Sequence, residues 1–186
     1  MPEIIIVAGD LAVGKSKLAK KLSSHYNIPY FNKENLKELL WDEIDVGEAD
    51  ENRTHSKIAI EILLHILERV TMVKGSLILE ANFHKAELEK IKRQCEFNKM
   101  KVTLLYLTAD IDILYERLLY RELYQKRHPV HLVHPLRNIE EFEAYVMKWR
   151  NEEEVLPRHV IDVSNCSREV VFAKALEILE NLNQKE

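Results

Sequence analysis

Gly9-Asp10-Leu11-Ala12-Val13-Gly14-Lys15-Ser16 is the stretch in which residue types and spacing most clearly specify a chemistry. Its two glycines open backbone turns closed to other residues, so successive N–H groups can converge on the oxygens of an anion. Lys15 supplies a cation for outer phosphates, and the Ser16 hydroxyl is a hard oxygen ligand suited to magnesium. A helix opening at Gly14 adds the positive end of its dipole. The chain has four glycines, and two of them fall in these eight residues. All-apolar Ile4-Ile5-Ile6-Val7-Ala8 precedes the stretch, and Leu18, Ala19 and Leu22 follow at helical spacing. That is the strand–loop–helix setting a phosphate loop needs. Gly9, Asp10, Leu11, Ala12, Val13, Gly14, Lys15, Ser16 and Lys17 are therefore the expected contacts of a nucleotide, as Mg-ATP or Mg-GTP.

Three further groups could complete a reaction site. Asn32-Lys33-Glu34-Asn35-Leu36-Lys37 places Glu34 in the first turn of a helix. An acid there is favoured by the helix dipole by about 0.3–1 kcal/mol, which alone would account for it. Leu79-Glu80-Ala81-Asn82-Phe83-His84 ends an apolar run with an acid. Proteins with a phosphate loop hold a metal's water shell from such a strand end, which makes Glu80 with Ser16 the expected metal site. Glu34, Lys37, Glu80 and Asn82 become the expected lining of a second substrate's pocket, with Arg127 and His128 closing over it. Arg117 and Arg121 lie four apart on one helical face, where like charges cost about 0.2–0.5 kcal/mol. A polyphosphate relieves that repulsion and uses the bidentate guanidinium, whereas a solvated basic face is the plainer alternative. His128, His131 and His134 recur every third residue, but no cysteine is near, and Pro129 and Pro135 bar a shared helical face.

Strands and helices alternate along the chain to position these groups. Apolar runs at 4–8, 28–31, 77–79, 102–107 and 160–163 read as strands. Helical stripes fall between them, including Ile58, Ile62, Leu63, Ile66, Leu67 and Val70, with Gly75 closing that helix. The acidic stretch from Asp42 to Arg53 reads as a loop, and Asn138 with Glu141 as a helix-opening capping box. The alternation implies an α/β fold: a five-stranded parallel sheet with helices on both faces. Ligands of such sheets bind at the carboxyl ends of strands, where the phosphate loop, Glu34 and Glu80 all fall. One domain over residues 1–186 is expected, with a small mobile lid at about 117–137.

Composition narrows the partners. With 27 basic and 31 acidic residues, the net charge of −4 gives no general attraction to nucleic acid or anionic membrane. Cys95 and Cys166 form no CxxC pair, and reduced thiols in a cytoplasmic protein are the simplest reading. No apolar stretch approaches the roughly 18 residues of a membrane span.

In order, the phosphate loop, Asn-Lys-Glu-Asn-Leu-Lys-Glu-Leu-Leu, Leu-Glu-Ala-Asn-Phe, and Tyr-Glu-Arg with Arg121 and Arg127-His128-Pro129 resemble the small ATP-dependent P-loop kinases that include zeta toxins, chloramphenicol phosphotransferase and the polynucleotide kinase domain. The resemblance covers nearly the whole chain. It implies a nucleoside-kinase-like fold, ATP and Mg2+ as cofactors, and a base that activates an acceptor hydroxyl. That base is usually Asp, and Glu34 stands in its place, one methylene longer. It also implies a lid whose arginines close over ATP, which adds Arg121 and Arg127 to Lys15 and Glu34 as catalytic residues. Ala12 and Lys17 depart from the usual loop, which often has a further glycine and a second hydroxyl there. The expected activity is transfer of the γ-phosphoryl group of ATP to a small-molecule hydroxyl. A kinase of nucleic-acid 5′-hydroxyls is disfavoured by the low charge, and a nucleotide-sensing regulator without transfer is the rival of another class.

Overall fold

The computed structural model describes residues 3–44, 51–126, 128–131 and 138–183. Its centre is β1 (Glu3–Gly9), buried along its full length. Ile5 and Val7 enter one core while Ile4, Ile6 and Ala8 enter the other, which is why this strand is apolar without alternation. With β2 (Tyr30–Asn32), β3 (Leu77–Glu80), β4 (Lys101–Thr108) and β5 (Arg158–Asp162) it forms the expected five-stranded sheet, in the order β2-β3-β1-β4-β5. Every adjacent pair is parallel. The chain leaves β1 toward β3 and β2, then crosses back to β4, so the carboxyl end of β1 is the switch point where a ligand crevice opens.

Helices cover both faces. α1 (Lys15–Tyr26), α5 (Ile111–Tyr124), α6 (Ile139–Arg150) and α7 (Arg168–Asn183) contribute Leu18, Leu22, Leu114, Leu118, Phe142, Val146, Ala175 and Leu179 to one core. α3 (Glu51–Met72) and α4 (Lys85–Phe97) contribute Ile60, Leu63, Leu67, Leu88 and Ile91 to the other. Phe142 is wholly buried, worth about 1.5–3 kcal/mol, and it fastens α6 beneath the site. α2 (Lys33–Glu43) follows β2 without a loop, because the Asn32 side chain accepts from the Asn35 N–H at 2.6 Å and caps the helix. That cap fixes Glu34 at the sheet's edge.

Three local readings are corrected. Asp42 and Glu43 belong to α2, and Asn52 and Arg53 to α3, so both ends of the expected 42–53 loop are helical. Asp42, Glu43 and Arg53 are exposed, residues 45–50 lie outside the described residues, and the Trp41 and His55 rings meet edge-on at 5.9 Å across the pair. At the end of α3, Lys74 and not Gly75 takes the left-handed conformation (φ 55°). Gly75 instead donates its N–H to the Val70 carbonyl at 2.9 Å. β5 begins at Arg158, two residues before the expected start at Val160. Asn138 does cap α6, accepting from the Glu141 N–H at 2.8 Å. Of the expected lid, 117–124 is regular α5 and Pro129–His131 forms a 3-10 turn. Arg127 and residues 132–137, including His134, lie outside the described residues.

Candidate active site

The phosphate loop is folded as its glycines require. Gly9 has φ 134° and Gly14 φ 102°, both in the region that favours glycine. A Cβ at Gly9 would fall 2.0 Å from the Leu107 carbonyl oxygen of β4, so no side chain fits there. Ala12, where a relaxed loop would carry glycine, takes φ 64°, a conformation that costs an L-residue roughly 1–2 kcal/mol. The Ala12 carbonyl accepts from Arg121 Nη2 at 3.3 Å, which ties the loop to α5.

Lys15 is partly buried and curls back on its own loop, donating to the carbonyls of Gly9 at 3.0 Å and Asp10 at 2.7 Å. Burial lowers its amine to about 8, against the opposing pull of the Glu80, Asp10 and Glu34 carboxylates. The Glu34 and Glu80 charges thus act on the loop cation, and all three groups stand at the carboxyl edge of the sheet, where the strand order opens a cleft. Ser16 is exposed at the mouth of this cleft.

Tyr30 connects the two sides of the cleft. Its hydroxyl donates to Glu80 Oε2 at 2.7 Å, accepts from Asn32 Nδ2 at 2.5 Å, and adjoins the Ser16 hydroxyl. Burial, then the Glu80 charge, push that hydroxyl far above the ordinary tyrosine value, so it stays protonated and donating. The donor set around it, a serine hydroxyl and a buried carboxylate, is made of hard oxygens and fits a magnesium ion.

Glu34 is ringed by cationic and histidine side chains. Lys33 and Lys37 approach its two oxygens at 3.4 Å each, and His131 Nδ1 lies 3.0 Å from Oε2. Burial alone would raise its pKa, but the His131 hydrogen bond and the charges of Lys33, Lys37 and His131 together hold it well below the usual carboxylate range. Of the expected basic group, Arg117 and Arg121 lie near Lys17 of the loop. Lys17 is lowered by burial and by the charges of Arg168, Arg121 and Arg117, so four cations cluster beside the bend.

The AAA domain family profile matches residues 5–148, which span the loop, both carboxylate positions and the arginine helix. The chain belongs to the AAA domain family. Solved structures place this AAA domain among the P-loop kinases in fold, as the sequence resemblance implied. A provisionally named kinase from Chloroflexus aurantiacus is 24% identical over 96% of this chain and 97% of its own, with a TM-score of 0.81. A gluconokinase from Sinorhizobium meliloti is 15% identical over 100% and 98%, with a TM-score of 0.59. Kti12 from Chaetomium thermophilum, in complex with ADP-AlF3, is 16% identical over 96% and 98%, with a TM-score of 0.63. At such identities the likeness establishes the fold alone. No curated protein matches the chain by sequence. No helix among the described residues of the AAA domain is long and apolar enough to cross a membrane.

Three expected site residues of the AAA domain point elsewhere. Asp10 lends its backbone to the loop, but its carboxylate turns inward and is fully buried. It accepts from Thr108 Oγ1 at 2.8 Å, Tyr106 Oη at 3.2 Å, and Arg150 Nη2 and Nε at 2.6 and 3.2 Å. Asp10 therefore ties the loop to β4 and α6. Asn82 lines a small cavity with Gly9, Phe83, His84 and Trp149 on the loop's inner side, not with Glu34. His128 reaches Asp42 at 3.0 Å, two helical turns along α2 from Glu34. Tyr30, Lys33, His131 and Arg168 join the site unannounced. Tyr30 read as a strand residue and Lys33 as the neighbour of Glu34, while His131 and Arg168 depend on tertiary pairing that no local motif encodes.

Arg150 gives a test of the Asp10 strut. Arg150→Met strands the buried carboxylate on two hydroxyl donors. We expect a loss of about 3 kcal/mol, the lower end for breaking a buried pair, because the Arg150 side chain is 26% exposed. For a chain this size that is a fall of roughly 6–12 °C in melting temperature, read by scanning calorimetry. An unchanged melting temperature would remove the strut.

Proposed function

We propose that the chain is an ATP-dependent kinase that transfers the γ-phosphoryl group to a hydroxyl of a small molecule. The observation that carries this reading is the placement of Glu34 and Glu80 at the strand ends beside the phosphate loop, with Tyr30 joining Glu80 to Ser16. The loop N–H groups, Lys15 and the Lys17–Arg117–Arg121–Arg168 cluster bind the triphosphate. Ser16 and Glu80 are the residues that would hold magnesium, which when bound neutralises charge on the β- and γ-phosphates. Tyr30 keeps Glu80 oriented toward Ser16. Glu34 orients the acceptor hydroxyl, whose oxygen bonds to the γ-phosphorus as the bond to the β–γ bridging oxygen breaks and ADP leaves. The hydroxyl proton passes to Glu34. A carboxylate held so far down is a weak base, which suits a loose transition state where orientation matters more than early proton removal.

The acceptor class draws support from the gluconokinase among the fold's relatives. A panel of sugars, sugar acids, polyols, nucleosides and hydroxylated antibiotics, incubated with γ-labelled ATP and magnesium, tests the reading. Transfer of label to one acceptor, lost in Glu34→Gln, is the expected result. Binding of Mg-ATP without consumption across the panel would leave the regulator reading in its place.

A further inference from the structure

The 3-10 turn Pro129–His131 meets α2 through charge. Glu34, Glu38 and Asp42 stand four residues apart, so their carboxylates form a stripe about 12 Å long on one face of the helix. Unrelieved, like charges at this spacing weaken a helix. His131 relieves the first two: Nδ1 lies 3.0 Å from Glu34 Oε2 and Nε2 lies 2.7 Å from Glu38 Oε1. His128 meets the third, with Nε2 3.0 Å from Asp42 Oδ1. Val130 between them is wholly buried and anchors the turn.

The two contacts of His131 decide its proton count. A neutral imidazole has one N–H and one lone pair, so it satisfies only one carboxylate. With ionised carboxylates at both ring nitrogens, only the imidazolium can donate to both. The side chain is 11% exposed, so water does little to substitute for either partner. Among the described residues, the charged and titratable groups that meet it include Glu34 and Glu38 on α2 and the His128 ring, 6.2 Å away between centroids. Lys33 and Lys37 share Glu34 with it.

We propose that His131 is the positioning residue for Glu34: as an imidazolium clamped between Glu34 and Glu38, it fixes the carboxylate that faces the acceptor and makes that placement depend on pH. The clamp itself rests on geometry, and its consequence for turnover rests on the kinase reading. The sign follows from the donors. Below the pH at which the ring loses its second proton, both carboxylates are held; as pH rises through it, one loses its donor and the clamp opens. Glu34 should respond to loss of His131 as well, because the His131 hydrogen bond opposes the effect of burial on it. Without it, Lys33 and Lys37 remain, so Glu34 moves up toward the ordinary carboxylate range.

Side-chain NMR of the full chain tests this without any ligand. His131 ring nitrogens are assigned by their loss in His131→Asn, and the Glu34 carboxyl carbon by its loss in Glu34→Gln. Asn keeps a neutral donor near the Nδ1 position but does not reach Glu38. Both ring nitrogens protonated at neutral pH, with the Glu34 titration displaced upward in His131→Asn, is the expected result. A single-tautomer neutral ring, or a Glu34 titration identical in the two proteins, would overturn the proposal. If His131→Asn does not fold, His131→Gln, which keeps the donor toward Glu38, should displace Glu34 in the same direction. With an acceptor in hand, His131→Asn should lower kcat roughly tenfold, less than the cost of losing the base itself, with KM for ATP unchanged. A confirmed clamp with no phosphoryl transfer would refute the kinase reading alone. Transfer with a neutral His131 would refute the clamp alone.

Discussion

Glu34→Gln should cut phosphoryl transfer by roughly 100- to 10,000-fold, the usual worth of a positioned base, while nucleotide affinity stays unchanged. The amide keeps the size and the Asn32-capped place at the start of α2, so geometry survives. It loses the charge that Lys33, Lys37 and His131 surround, and with it the ability to accept the hydroxyl proton. Steady-state kcat with the identified acceptor reads the loss. Glu34→Asp is the companion variant: one methylene shorter, it should retain part of the activity. Full transfer by Glu34→Gln would move the base elsewhere, and Glu80 is the next carboxylate in the cleft.

Lys15→Ala should remove the response to nucleotide. In the wild-type chain, Mg-ATP at 100 times its Kd stabilises the fold by about 2.7 kcal/mol. That raises the melting temperature by roughly 5–10 °C at this chain length. The Lys15 amine is satisfied by the Gly9 and Asp10 carbonyls and held at about 8 by burial, so it is a desolvated cation suited to a stronger anion. Its removal relieves that cost and leaves the unliganded fold intact. It also takes a preorganised charge from the developing transition state, worth roughly 100- to 1,000-fold in turnover. Equal thermal shifts in both proteins would remove Lys15 from the nucleotide site.

The parts legible in the sequence are those whose cause is local. β1 announces itself because a strand buried on both faces needs Ile4 to Ala8 without interruption. The phosphate loop does so because its turn, its cation and its hydroxyl sit within eight residues. Glu34 and Glu80 were reachable because strand ends in a parallel sheet share one edge, and Asn32↔Glu80 is a register pair of β2 and β3. What stayed hidden is long-range pairing. Asp10 looks like a loop residue until Arg150, 140 positions away, claims its carboxylate. His131 looks like part of an irregular histidine run, yet it meets Glu38 across 93 residues. The stripe of Glu34, Glu38 and Asp42 and the pair His128 and His131 were each visible, but nothing in either spacing tells that one docks on the other.

Calorimetric titration with magnesium and a non-hydrolysable ATP analogue tests the central claim most directly, using the wild-type chain, Lys15→Ala and Glu34→Gln. The wild-type chain and Glu34→Gln should bind with the same affinity, and Lys15→Ala should lose most of it, because the loop holds the phosphates while Glu34 faces the acceptor. Equal binding by all three proteins, or none by the wild-type chain, would contradict the account.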